Sequence, residues 1–250
     1  MSELQNGILV LDYGSQYTLL IARRLRELGV YSEVWPYNDE RLDEYLESGE
    51  APAQGIVLSG GPASVGNEAA PDLREGLLEL DLPILGICYG MQLLADAYNG
   101  EVEPSDTAEY GRTNIGVDLD NPLFEGFDVG ESFDVWMSHG DTVTKMPEGF
   151  AQLASTERDV VAAIGDVERQ RYGLQFHPEV THTEDGNQLL SNFAYTVCDC
   201  GDGWQIEDFM ERSVARIRQM VGEDERVICG LSGGVDSSVV AAMVHRAIGD

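Results

Sequence analysis

The sequence predicts an α/β fold, a doubly wound and mostly parallel sheet, followed by the first strand, loop and helix of a second α/β domain. Three observations predict it. Short apolar runs at Ile8–Leu11, Gly55–Leu58 and Ile84–Ile87 each end at a turn residue or a glycine, and helix-period segments lie between them. Strands alternating with helices imply a parallel sheet covered on both faces, with loops at the strand carboxyl ends carrying the site. Composition then shifts twice, to short alternating runs after about Glu101 and to a Cys/Gly/Asp-rich stretch at Cys198–Gly203.

Taken in order, Gly7–Asp12 reads as the first strand, Tyr17 to Leu28 as a helix and Val30 to Trp35 as a second strand, a β-α-β opening. Asp39 to Leu46 reads as a short acidic helix, Gly55 to Leu58 as a third strand and Asp72 to Leu80 as a helix leading into the Ile84–Ile87 strand. From Glu101 to Arg171 the runs Asn114 to Val117, Phe133 to Met137, Ala151 to Ser155 and Val160 to Ile164 read as strands, some antiparallel and at an edge. Tyr172 to Phe176 is a further strand, and Gly186 to Val197 a closing helix. Cys198–Gly203 reads as a linker, Ile206 to Met220 as an amphipathic helix, Arg226 to Gly230 as a strand and Val239 to Ile248 as a last helix. The expected domains are thus residues 1–200, a linker and helix over 201–225, and the start of a second domain over 226–250.

Gly86-Ile87-Cys88-Tyr89-Gly90 reads as a nucleophile elbow. A buried strand feeds a sharp turn at Cys88, and Gly86 and Gly90 remove side chains that would block so tight a strand-to-helix corner. The helix beginning near Tyr89 brings free N–H groups and its positive dipole end to the sulfur, the setting of a reactive cysteine. A glycine-flanked cysteine is also compatible with a buried small hydrophobe. His177-Pro178-Glu179 favours the catalytic reading. Proline biases His177 to an extended conformation, in which residues two apart share a side, so imidazole and carboxylate can stand together. Cys88, His177 and Glu179 then form a complete nucleophile, base and orienting set. Ser59-Gly60-Gly61-Pro62, at another strand end, lets backbone N–H groups approach a reacting carbonyl. With the Tyr89 N–H it could form an oxyanion hole, Gly61 being favoured over Gly60.

In the tail, Ser232-Gly233-Gly234-Val235-Asp236-Ser237-Ser238 follows a strand pattern and opens a helix, an arrangement that cradles anions. It lacks the lysine of a Walker A loop.

The chain carries 45 acidic against 15 basic residues, a net charge of −30, with Lys145 its single lysine. Such a surface repels nucleic acid and anionic membranes, and self-repulsion burdens the compact state unless salt screens it. An acid-rich, lysine-poor exterior suits a salt-rich cytoplasm. Anionic ligands must then be met by local glycine loops and helix ends. The amino-terminal sequence is not a signal peptide, and no apolar run is long enough for a membrane helix. The four cysteines, Cys88, Cys198, Cys200 and Cys229, form no disulfide framework, and Cys198-Asp199-Cys200 is too lone for a zinc site. No metal site is expected.

Gly86-Ile87-Cys88-Tyr89-Gly90-Met91-Gln92 with His177-Pro178-Glu179 resembles the class I (triad) glutamine amidotransferases, whose flavodoxin-like fold matches the reading above. Asp12-Tyr13-Gly14-Ser15-Gln16-Tyr17, Leu58-Ser59-Gly60-Gly61-Pro62, Val135-Trp136-Met137-Ser138-His139-Gly140-Asp141 and His177-Pro178-Glu179-Val180-Thr181-His182-Thr183 together resemble the GMP synthetase family. The Ser232–Ser238 loop resembles the pyrophosphate loop of the N-type ATP pyrophosphatases. The resemblance implies L-glutamine as substrate, bound by Gln92 and by the backbone around Ser138, Gly140 and Asp141, with His139 only a residue of that loop. It implies no cofactor for the glutaminase step. For a complete synthetase it implies ATP and Mg²⁺, XMP as the ammonia acceptor, and a homodimer. On the same basis the chain resembles the amino-terminal part of a larger enzyme, ending after the first helix of its second domain. The amidotransferase component of another synthetase, or a regulatory module of the same fold without activity, are the alternatives. The tail loop argues against the first, and the complete triad against the second.

Overall fold

A computed structural model describes residues 3–67, 69–201, 203–222 and 225–249. The expectations for residues 1, 2, 68, 202, 223, 224 and 250 lie outside the described residues. The chain divides into two compact units, Met1–Asp202 and Gly203–Asp250.

The first unit is built on one nine-stranded sheet. Its strands are β1 (Ile8–Asp12), β2 (Ser32–Pro36), β3 (Gly55–Leu58), β4 (Ile84–Ile87), β5 (Glu101–Val117), β6 (Ser132–Lys145), β7 (Ala151–Thr156), β8 (Val161–Asp166) and β9 (Arg171–Leu174). They lie in the order β2-β1-β3-β4-β9-β8-β7-β5-β6. The β2, β1, β3, β4 and β9 strands pair in parallel, and β8, β7, β5 and β6 continue antiparallel. The helices are α1 (Thr18–Glu27), α2 (Arg41–Ser48), α3 (Tyr89–Ala97) and α4 (Gly186–Ser191), with a π-helical turn at Asn192–Val197.

Period-two alternation places the core on both faces of the parallel half. Ile8 and Val10 of β1 pack with Ile21 and Leu25 of α1 and with Leu189, Leu190 and Phe193 of the closing helices. Leu9 and Leu11 point the other way, into a cluster with Leu42 of α2 and Leu93 and Leu94 of α3. All are buried, each stabilising the fold by about 1.5–3 kcal/mol relative to exposure. A sheet covered on both faces leaves its carboxyl edge as the open place for a ligand, and the strand order reverses beside β1.

Several expectations need correction. The Asp72–Leu80 helix is only a 3-10 turn at Leu77–Glu79, because Gly76 takes φ +82° and breaks helical continuity. The runs Asn114 to Val117 and Phe133 to Met137 are parts of long strands, β5 and β6, which pair along most of their lengths, whereas Ala151 to Ser155 and Val160 to Ile164 are the short strands β7 and β8; Ser138–Asp141 lies within β6 rather than in a loop. The expected closing helix widens to π geometry from Asn192, whose amide donates to the Leu123 and Glu125 carbonyls. Cys198 and Cys200 are buried in the core of the first unit instead of opening a linker.

In the second unit α5 (Ile206–Met220) and α6 (Val235–Ile248) are helical. The expected helix at Val239 begins earlier, so Val235 to Ser238 form its first turn rather than a loop. Arg226–Gly230 is not a strand, since no second strand stands beside it in this unit among the described residues. Val227 is 42% and Ile228 98% exposed accordingly.

Candidate active site

Four strand ends converge at the carboxyl edge: β1 runs into Tyr13-Gly14, β3 into Ser59-Gly60-Gly61, β4 into Cys88, and β9 into Gln175-Phe176-His177. The convergence is pinned by side chains of the strand ends themselves. The Ser59 hydroxyl accepts from the Tyr13 N–H at 2.9 Å and donates to the Gly60 carbonyl at 2.8 Å. Asp12 Oδ1 accepts from the Gly14 N–H at 2.9 Å and from the Thr18 hydroxyl at 2.7 Å, tying the first loop to α1.

Cys88 has φ 52° and ψ −105°, a strained backbone for a residue with a Cβ. The corner closes because a methyl group on Gly90 would meet the Leu58 carbonyl oxygen at 2.4 Å. Cys88 is 6% exposed, and its Sγ lies 3.7 Å from the Ser138 carbonyl oxygen. His177 lines the same cleft as Cys88 and places Nδ1 2.8 Å from Glu179 Oε1. Burial opposes a charged imidazole there, but the hydrogen bonds and charges of Cys88 and Glu179 outweigh it and push His177 up to about 10. The segment is held from three sides. The His177 N–H donates to the Trp136 carbonyl at 3.0 Å, the Thr183 hydroxyl donates to the His177 carbonyl at 2.6 Å, and Arg24 Nε donates to the Glu179 carbonyl at 3.0 Å. The Tyr17 ring stands edge-on to the imidazole at 5.1 Å.

Cys88 and His177 open into a cleft of about 470 Å³ whose walls include Gly14 to Tyr17, Gly61, Gln92, Tyr110 and Ser138 to Asp141. Gly61 lines it and Gly60 does not; a methyl group on Gly61 would press on the Tyr13 carbonyl oxygen at 2.7 Å. Neither the Gly61 nor the Tyr89 N–H donates to a backbone acceptor among the described residues. Gln92 donates from Nε2 to the Asp141 carbonyl at 3.0 Å. The sequence-expected residues Cys88, His177, Gly61, Gln92, Ser138, Gly140 and Asp141 are therefore brought to one cleft, with Glu179 fully buried behind His177. Sequence reasoning assigned no role to Tyr110, Thr183 or Arg24. Tyr110 depends on strand register, Thr183 accepts from the Trp136 N–H 47 positions before it, and Arg24 contacts a residue 155 positions away; no local pattern signals such pairings.

Ser232 to Ser238 lie in the second unit. Gly233 takes φ +85°, the Ser232 Oγ lies 3.1 Å from the Ser237 Oγ, and the Ser237 and Ser238 hydroxyls donate to the Gly234 carbonyl at 3.0 and 2.9 Å. The loop thus turns directly into α6, with Asp236 in its first turn.

A mixed sheet with a strained cysteine elbow and a His-Glu pair at the carboxyl edge of its parallel half agrees with the family match: residues 9–197 fit the model described as glutamine amidotransferase class-I. The chain belongs to that family. Residues 205–250 match the NAD synthase model, so a second domain starts in the tail. Among curated relatives, a protein of Oleidesulfovibrio alaskensis named GMP synthase [glutamine-hydrolyzing] is 49% identical over 99% of this chain and 47% of its own length. One of the same name from Symbiobacterium thermophilum is 48% identical over 100% of this chain and 48% of its own. The chain spans about half the length of the curated relatives it matches. The crystal structure of a Thermoplasma acidophilum protein, provisionally assigned to GMP synthase, superposes with TM-score 0.64 and 32% identity, covering 77% of this chain and 94% of that one. The PurLQS structure from Thermotoga maritima, at 19% identity and TM-score 0.61, shares the fold; the match covers 76% of this chain and 97% of that one.

Proposed function

We propose that the chain hydrolyses L-glutamine to glutamate and ammonia, and that in the complete enzyme the ammonia serves the ATP-dependent amination of XMP to GMP. The observation that carries the first half is that His177, paired with Glu179 at 2.8 Å, lines the same open cleft as Cys88. His177 takes the Cys88 thiol proton as Sγ attacks the side-chain amide carbon of glutamine, and the Gly61 and Tyr89 N–H groups stabilise the oxyanion. His177 gives its proton to the departing nitrogen, releasing ammonia and leaving a γ-glutamyl thioester. Water then attacks the thioester while His177 takes its proton, and glutamate leaves with the Cys88–H bond restored. Glu179 holds the imidazole orientation throughout. Gln92 and the Ser138–Asp141 rim receive the amino-acid end of the substrate.

The domain scheme supporting the second half is an amidotransferase over 1–200, a linker and helix over 201–225, and the start of an ATP pyrophosphatase domain from 226. Ser232 to Ser238 suit ATP, because the glycines leave the α6 N-terminus open to phosphates: a methyl group on Gly233 would meet no atom within 4 Å. Mg²⁺ would enter on the phosphates, where it screens their charge. Among the described residues no group of three or more His, Cys, Asp or Glu could hold a metal ion. The complete enzyme is a cytoplasmic homodimer in this reading, without nucleic-acid or membrane partners. Among the described residues no helix is long and apolar enough to cross a membrane. The test is glutamate release from glutamine by the chain, and by the full-length enzyme with and without XMP, ATP and Mg²⁺. Absence of hydrolysis in both overturns the proposal.

A further inference from the structure

Glu109 and His139 stand directly opposite each other across the antiparallel β5–β6 pair. Their side chains are 7% and 1% exposed, a rare position for a carboxylate. His139 Nδ1 lies 2.9 Å from the Asp141 carbonyl oxygen. A carbonyl only accepts, so Nδ1 carries a proton. Nε2 is left 3.5 Å from Glu109 Oε2, and neither buried atom has a hydrogen-bond partner. Two bare lone pairs at that distance would be both repulsive and desolvated, and an unsatisfied buried group costs about 1–3 kcal/mol. One proton between them removes the conflict. Burial pushes the His139 imidazolium down, against the pull of the Asp141 carbonyl and Glu109, and the nearby His177 pushes the same way as burial. A proton shared with Glu109 is the state that these opposing influences permit.

The Asp141 carbonyl is held a second time, by Gln92 Nε2 at 3.0 Å, and that nitrogen also lies 3.3 Å from Gln175 Oε1. A continuous polar chain, Glu109 to His139 to the Asp141 carbonyl to Gln92, therefore runs beneath the wall formed by Ser138 to Asp141.

We propose that Glu109 and His139 share one proton and act as a positioning pair, fixing the Asp141 carbonyl and with it the Ser138–Asp141 rim that receives the amino-acid end of glutamine. The role rests on the glutaminase reading for its substrate, though not for the proton. Neither residue touches the reacting atoms. The pair sets how well the rim fits glutamine, while Cys88 and His177 set the rate once it is bound.

The test uses the whole 250-residue chain. Nitrogen-15 NMR of His139 reads the proton: its Nε2 shift should move between wild type and Glu109→Leu. An identical shift in both overturns the shared proton whether or not glutamine is turned over. In steady-state kinetics, His139→Leu and Glu109→Leu should each raise the glutamine KM about tenfold or more, the scale of one positioned hydrogen bond, with a smaller change in kcat. His139→Asn supplies an N–H near Nδ1, and Glu109→Gln supplies one toward Nε2, so both should recover most of the affinity; these also serve if the leucine variants fold poorly. A fall in kcat with unchanged KM in His139→Asn, or equal KM values for Glu109→Leu and Glu109→Gln, overturns the positioning role. Loss of all hydrolysis by the wild-type chain would instead strike the proposed function, leaving the NMR result to decide the pair.

Discussion

Gly86 and Gly90 approach so closely that a methyl group on Gly86 would lie 2.4 Å from the Gly90 carbonyl carbon. Real Cβ contacts do not reach such a distance, so β4 and α3 can meet at this angle only with hydrogen at both positions. The strained φ of Cys88 is held in place by that contact and by the Cys88 N–H donating to the Leu174 carbonyl at 2.7 Å. Gly90→Ala should therefore displace α3 from Leu58, lower the melting temperature through an overpacking cost of about 1–3 kcal/mol, and misplace the sulfur. Thermal melting and glutaminase rate of this variant should fall together; an unchanged rate would show that the elbow has room to relax.

Cys88→Ala should abolish glutamine hydrolysis. A glutamine-like electrophile should label Cys88 and none of the other three cysteines. Cys198 and Cys200 are buried, whereas Cys229 is exposed, so Cys229 is the informative control. A general thiol reagent should reach Cys229, and the substrate-like reagent should not, because only Cys88 shares its cleft with His177, Gln92 and the Ser138–Asp141 rim. Peptide mapping that finds Cys229 modified at the same rate as Cys88 would contradict the assignment.

The pH dependence of stability follows from His177, raised from 6.5 to about 10 in the folded chain. The folded form holds this proton more tightly than the unfolded form. Its contribution is therefore fully present below pH 6.5 and is lost as the pH climbs through about 10. The advantage of wild type over His177→Gln, measured by urea unfolding, should shrink across that window with a slope of at most about 1.4 kcal/mol per pH unit. A difference that stays constant, or grows with pH, would contradict the pairing.

Chemistry confined to a few neighbouring residues was legible in the sequence. The elbow glycines bracket Cys88 within five positions, and Pro178 fixes the spacing of His177 and Glu179, so both motifs carry their geometry with them. Features that depend on distant partners were not. Glu109 opposes His139 only through the β5–β6 register, which passes through an irregularity between Pro104 and Glu109. Asp72–Leu80 reads as a helix in the sequence, but Gly76 takes the left-handed conformation inside the segment and interrupts it. Arg226–Gly230 has the composition of a strand, yet a strand exists only by pairing.

A net charge of −30 makes self-repulsion a large opposing influence on the folded state. The melting temperature should rise from low salt toward about 1 M KCl, where the Debye length shrinks to about 3 Å. Ion pairs on the surface, such as Arg23 with Glu27 at 2.8 Å, weaken in salt, but each contributes little, and 15 basic residues stand against 45 acidic ones. A melting temperature that is flat or falling with KCl would show that these pairs dominate.

The second unit should be dispensable for folding of the first. Cys198 and Cys200 close the core of the first unit, and the chain leaves it at residues 202–203. Beyond that point Ile228, Val239 and Val240 are 98%, 50% and 52% exposed, so the apolar surface of α6 and of the segment before it contributes little burial of its own. A single helix pair with no strand beside it cannot cover two faces of a sheet. Removing everything after Gly203 should leave the melting temperature of the first unit, and electrophile labelling of Cys88, close to those of the 250-residue chain. The 250-residue chain should bind ATP weakly or not at all in calorimetry, since Ser232 to Ser238 supply only one side of a nucleotide site. Collapse of the truncated protein would show that the last segment is integral to the amidotransferase core. Tight ATP binding by the longer chain would show that the loop needs no further walls.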